Sequence, residues 1–229
     1  SSETFGQNQN ANAIRWGTMY NFRFDADKPP QNVNARIGFF KTGEPILVPV
    51  LSPGEAPTST ISGTITYGNA IGLPNPRFVS DVVVCSATGS PPVLTSTDFP
   101  GGNYTLAGFG SGEYTIVAAK SSGANSITSF DAAKIAQYAS GAISLTENQL
   151  IVADVSNNGS VSSFDAAQVA RYVAGAPPYG FTGTWKMLPA SRTYGSVTGN
   201  ATGEDFVALL MGEVSGNWTN TSTSRKGSR

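Results

Sequence analysis

The chain has 229 residues, 39% of them hydrophobic and only 13% charged, with a formal net charge of −1. It can bury cores, but its charge content is about half that of an average globular protein, and the near-zero balance excludes an electrostatic nucleic-acid or membrane-surface binder. There is no histidine, which removes the commonest general base, the usual partner of a serine or cysteine nucleophile and most zinc sites. No apolar run reaches the roughly 18 residues of a membrane span. No basic segment followed by an apolar one stands at Ser1, the pattern of a processed chain or a fragment. Frequent Gly, Pro, Ser, Thr and Asn indicate short strands joined by turns.

Residues 1–11 (SSETFGQNQNA) are polar and predict an extended arm. Within 12–51, IRWGTMYNFRFDA alternates as a half-buried strand does, with Trp16, Tyr20, Phe22 and Phe24 on one parity. RIGFFKTGEPILVPVL predicts two further strands around the turn KTGEP. Three strands in such a short span are marginal alone, so 1–51 is expected to be an N-terminal β-segment. Its sheet would be completed by the next domain, by upstream sequence or by a neighbouring molecule. Asp25 and Asp27 share a strand face without a third ligand and are expected to be surface turn residues. Residues 52–60 (SPGEAPTST) have the composition of a linker.

Residues 61–119 predict an all-β domain. Its strands are ISGTITYG, FVSDVVVCSAT, PPVLTSTDF, NYTLAGF and GEYTIVAAK, at the spacing of a small sandwich. The single cysteine, Cys85, lies in the run VVVC and is expected to be a buried free thiol on a strand. The paired endings Gly102–Leu106 and Gly112–Ile116, with SGTITYG before them, resemble a carboxypeptidase-regulatory-like or collagen-adhesin B-type domain. That resemblance implies a transthyretin-like β-sandwich acting as a non-catalytic spacer or adhesive module.

The C-terminal half contains a repeat. SITSFDAAKIAQYASG (126–141) returns as SVSSFDAAQVARYVAG (160–175), 34 residues later without a gap and with more than half of the positions identical. EVSGNW (213–218) partly echoes DVSNNG (154–159). Each echo follows an apolar stretch, EDFVALLMG or ENQLIVA, whose period fits either a helix or a strand.

A twelve-position calcium loop takes ligands from positions 1, 3, 5, 7, 9 and 12 and bends at a glycine in position 6. Starting at Asp154, those ligand slots hold Asp154, Ser156, Asn158, Ser160 through its carbonyl, Ser162 and Asp165, and position 6 is Gly159. Val161 is the apolar residue that pins the loop, and Ala167, Val169, Ala170 and Val173 follow at helical spacing. Asp at position 12, one flanking helix and the duplication together resemble dockerin domains, duplicated calcium-dependent modules that bind cohesins in bacterial extracellular assemblies. The resemblance spans about residues 120–175 with an extension towards 218. It implies calcium held by two carboxylates, with a weak affinity of about 10⁻⁵ to 10⁻³ M, as in extracellular modules.

The first repeat departs from the pattern. Counted back from Asp154, position 1 is Lys120, position 3 Ser122, position 5 Ala124, position 6 Asn125, position 9 Thr128 and position 12 Asp131. Either this degenerate loop holds no metal, the Lys120 ammonium sitting near Asp131 in place of calcium, or it borrows ligands from Glu213, Ser215 and Asn217. The first is favoured, so one calcium is expected rather than two.

In the dockerin family the residues before position 12 face the cohesin. The resemblance therefore implies a docking face at Ser129 and Phe130 in the first repeat and Ser163 and Phe164 in the second. The competing expectation is that both phenylalanines pack in the core beside small alanines. Lys134 and Arg171 are expected on solvated faces. Glu204 and Asp205 are adjacent and do not form an opposed acid pair. Asn103, Asn158, Asn200, Asn217 and Asn220 lie in Asn-x-Ser/Thr sequons.

The whole reads as a mainly β, multidomain chain with an α-helical C-terminal part. An N-terminal β-segment (1–51) and linker (52–60) lead to a transthyretin-like sandwich (61–119). A duplicated loop-helix dockerin-like module with a C-terminal extension (120–229) completes it. The expected function is non-enzymatic attachment at the cell surface or in the extracellular medium, to a cohesin-like protein partner. A self-assembling fibre or matrix subunit that binds copies of itself, and an accessory region of a larger secreted hydrolase, are the alternatives.

Overall fold

The computed structural model describes residues 6–8, 30–38, 44–53 and 59–221, and it divides into two units, Ser1–Pro57 and Thr58–Arg229. In the first, β1 (Pro30–Ile37) pairs antiparallel with β2 (Ile46–Pro53), in register from Pro30↔Pro53 to Ile37↔Ile46. Directly paired residues share a sheet face. Val33, Ala35 and Ile37 therefore lie beside Val50, Val48 and Ile46 on one face. The strand expected across Trp16, Tyr20, Phe22 and Phe24, and the Asp25 and Asp27 pair, lie outside the described residues.

The second unit begins with β3 (Thr60–Tyr67), β4 (Val83–Thr88), β5 (Leu94–Ser96), β6 (Asn103–Ala107) and β7 (Tyr114–Ala119). Alternation sets their inner faces: Ile61, Ile65 and Tyr67 on β3, Tyr104 and Leu106 on β6, Tyr114 and Ile116 on β7 are all buried. Gly63 has a specific reason to lack a side chain, since a Cβ there would meet the Glu204 carbonyl oxygen at 2.6 Å. Val84 points into the core while its neighbour Cys85 points to the other side of β4. The thiol is therefore half-buried rather than buried as its apolar surroundings suggest.

Three helices follow: α1 (Ser129–Ala139), α2 (Glu147–Ala153) and α3 (Ser163–Val173). Helices α1 and α3 begin with the same device. Thr128 caps α1 and is answered by Asp131, and Ser162 caps α3 and is answered by Asp165, each a reciprocal capping box. Ala132, Ile135, Val152, Ala153, Ala166 and Val169 pack together between the helices.

The chain then returns to β-structure as β8 (Trp185–Leu188), β9 (Arg192–Tyr194) and β10 (Phe206–Leu210). One sheet has the order β6-β3-β10-β8 and the other β5-β4-β7-β9, and a common core of residues from both lies between them. Strands from both sides of residue 120 thus share each sheet. The stretch expected as an extension of the helical module supplies three strands of the sandwich, with β10 running parallel to β3.

The reason lies in FVALLM (206–211). A strand buried on both faces is apolar on both parities and has no period by which to tell it from a helix. Phe206, Ala208 and Leu210 enter the sandwich core, whereas Leu209 and Met211 join the helical core. One strand therefore belongs to two cores. Glu204 and Asp205 precede it without facing each other: Glu204 pairs with Arg192 at 3.0 Å, and Asp205 accepts from the Thr64 amide at 2.7 Å.

Candidate metal centre and docking face

Helix α2 ends at Asp154, which serves as its C-cap. The Asp154 carboxylate then organises the loop that follows. Its Oδ1 accepts from Ser156 Oγ at 3.2 Å and the Asn158 amide at 3.1 Å, and its Oδ2 accepts from the Gly159 amide at 2.8 Å. Asn158 Oδ1 accepts from the Ser160 amide and hydroxyl. Positive φ at Asn157 (56°) and Gly159 (86°) makes the reversal, and glycine takes such a φ without strain. At the far end, Asp165 Oδ1 accepts from the Ser156 amide at 3.0 Å, and Oδ2 from the Ser162 amide and hydroxyl at 2.9 and 3.0 Å. Val161 packs against the helical core.

The structure thus gathers Asp154, Ser156, Asn158, Ser160, Ser162 and Asp165 in one loop. Among the described residues no group of three or more His, Cys, Asp or Glu side chains forms a metal cluster, so the negative charge of this loop rests on Asp154 and Asp165. Asp165 is 0% exposed and makes no ion pair with a lysine or arginine among the described residues. A buried charge is costly unless something compensates it. An all-oxygen set with two carboxylates suits a hard cation such as calcium better than a soft transition metal.

The first repeat is arranged differently from its favoured reading. Lys120 is not beside Asp131. Its Nζ donates to the Ser80 carbonyl at 2.7 Å and lies 5.9 Å from the centre of the Trp185 ring. Burial lowers the pKa of this ammonium, and Asp81 opposes that shift. The Ser122 carbonyl accepts from Trp185 Nε1 at 3.0 Å. Both residues follow β7 directly and remain tied to the sandwich, which is why they do not reach the helix. Thr128 and Asp131 do come together: Asp131 Oδ2 accepts from the Thr128 amide and hydroxyl at 2.8 and 3.1 Å. The other oxygen, Oδ1, accepts from the amides of Val214 and Ser215 at 2.9 and 2.8 Å. The only sequence signal for that partnership is the EVSGNW echo.

Ser129, Phe130, Ser163 and Phe164 open the two equivalent helices, and all four are exposed. Phe130 is 60% and Phe164 57% exposed. Core packing of these rings is therefore excluded, and Ala132, Ile135, Ala166 and Val169 fill that role instead. Lys134 Nζ lies 5.6 Å from the centre of the Phe130 ring. Arg171 is not simply solvated, since it donates to the carbonyls of Pro177 and Pro178 at 2.6 and 3.0 Å and folds the chain back after α3.

A family model for the dockerin type I domain matches residues 122–174, which hold both helix starts and the whole Asp154–Asp165 loop. No curated protein and no solved structure matches the chain.

Proposed function

We propose that this chain is a non-catalytic extracellular attachment protein whose calcium-stabilised helical module docks onto a cohesin-type protein. The observation that carries the reading is the pair of exposed phenylalanines at the same position of two identically capped helices, inside the stretch matched by the dockerin type I domain. Removing large aromatic side chains from water is favourable when a partner covers them, and exposed aromatics of this kind are typical interface anchors. Calcium contributes when bound by neutralising Asp154 and Asp165. The residues themselves fix the start of α3, and with it the direction in which Ser163 and Phe164 point.

Binding of the full chain to a panel of type I cohesin modules, measured in millimolar calcium and in EDTA, tests this. Binding is expected only with calcium. Each single variant, Phe130→Ala or Phe164→Ala, should retain binding through the other helix, and the double variant should lose it. Because both rings are exposed, the melting of the double variant should stay within about 0.5 kcal/mol of wild type. Calcium-independent binding, or undiminished binding by the double variant, would sink the proposal.

The self-assembly reading keeps one observation in its favour. Three successive pairs on one hairpin face, Val33–Val50, Ala35–Val48 and Ile37–Ile46, are apolar, and Val33, Ile37, Ile46 and Val50 are exposed on it. Sedimentation of the full chain across a concentration series separates the readings, since growing assemblies favour a structural subunit and a constant monomer favours docking.

A further inference from the structure

We infer that the protein holds a second calcium ion in a loop assembled from two distant parts of the chain, with Glu213, Ser215 and Asn217 replacing the ligands that the first repeat lacks. This rests on the helical module being a calcium-binding one and is independent of what it docks onto.

The correspondence with the contiguous loop runs residue by residue. In that loop the first carboxylate, Asp154, accepts from the hydroxyl two residues on and the amide four residues on. Glu213 Oε1 does the same with Ser215 Oγ and the Asn217 amide, the latter at 3.1 Å. The contiguous loop has positive φ three residues after its first carboxylate, at Asn157, and the split one has it at Gly216, with φ 74°. The last carboxylate, Asp165, accepts from the amide at position 3 and from both donors of its N-cap serine. Asp131 accepts from the Ser215 amide and from both donors of Thr128. The seam is closed by Asn125, whose side-chain amide exchanges hydrogen bonds with the backbone of Thr219.

The independent reason to place a cation here is charge. Asp131 and Glu213 are each 0% exposed, and neither has a lysine or arginine partner among the described residues. Lys120, the one cation the sequence offered, points to Ser80 instead. The second Glu213 oxygen accepts from the Tyr67 hydroxyl, a partner that brings no positive charge. Two buried carboxylates joined through the Ser215 backbone and hydroxyl, with no counter-charge, are what a bound divalent cation resolves.

The test is calcium stoichiometry of the full chain by native mass spectrometry and titration calorimetry, with amide exchange as a local readout. Wild type should take up two calcium ions. Asp154→Asn should lose one, and in that variant calcium should still slow exchange at Val214, Ser215 and Asn217. Glu213→Gln keeps one acceptor oxygen, enough for the Ser215 and Asn217 hydrogen bonds, and should also retain one ion, now without that local protection. Should Glu213→Gln fail to fold, the exposed Asn217 offers Asn217→Ala, expected to weaken only the second binding event by at least about tenfold, since affinity follows ligand count. One ion in wild type and none in Asp154→Asn would overturn the inference while leaving the contiguous site standing. Uptake by wild type of no calcium at all would instead overturn the calcium reading of the module.

Discussion

Asp165→Ala is expected to destabilise the protein more than complete removal of calcium does. EDTA takes away only the linkage contribution, RT ln(1 + [L]/Kd), which is about 2.7 kcal/mol at one hundred times Kd. The substitution removes that contribution and the carboxylate as well. Asp165 is fully buried and accepts from the Ser156 amide and from both donors of Ser162. These donors are part-buried, so each one left without its acceptor costs about 1 kcal/mol, the lower end of the range for buried groups, and the capping box of α3 is lost with it. In EDTA the variant should therefore lie about 3 kcal/mol or more below wild type, and calcium should no longer raise its melting temperature. At roughly 2–4 °C per kcal/mol for a unit of this size, the shift is easily read in a thermal melt. Asp165→Asn, which retains one acceptor oxygen but not the charge, should fall between the two. A calcium-induced rise in melting temperature that survives in Asp165→Ala would mean the ion sits elsewhere.

What was legible in the chain depended on sequence distance. The Asp154–Asp165 loop could be read whole because its oxygen-bearing residues, its bend at Gly159 and its helix start are consecutive, and each residue type is tied to its slot by local geometry. The strands carrying Ile61, Tyr104 and Tyr114 were legible for the same reason, since alternation is local. The arrangement around Asp131 was not, because its partners Val214 and Ser215 come after the whole helical module and three further strands. Nothing near Asp131 announces them, and the EVSGNW echo acquires its meaning only once β10 has been placed. The short strands β8 and β9 were invisible because WKML and RTY have neither a run nor a period. The exposure of Phe130 and Phe164 could not be decided from sequence either, because a phenylalanine beside alanines suits a core as well as an interface. The decision came from helix phase: Ala132, Ile135, Ala166 and Val169 already occupy the buried stripe.

Leu209→Ala and Leu210→Ala are expected to cost similar stability and to differ in what they do to calcium binding. The two leucines are neighbours on β10, chemically identical and both 0% exposed. Truncating a buried leucine costs about 2–5 kcal/mol. Their side chains point to opposite faces, however. Leu210 fills the sandwich core with Ile61 and Tyr67, and Leu209 fills the helical core with Ile135, Val152 and Val169. That helical core also holds Val155, the second residue of the contiguous loop, and Val214, whose amide binds Asp131. A cavity at Leu209 lets both loop backbones relax and should weaken calcium binding. A cavity at Leu210 sits on the far side of the strand and should leave calcium affinity near that of wild type under conditions where the protein is folded. The shared strand also predicts that sandwich and helices unfold together. Near-ultraviolet dichroism, to which the buried Trp218 of the sandwich core contributes, and far-ultraviolet dichroism at the helical band should give coincident melts in wild type. Two separated transitions, or equal calcium affinities in the two leucine variants, would show that the helical module folds without β10 and that the strand only borders it.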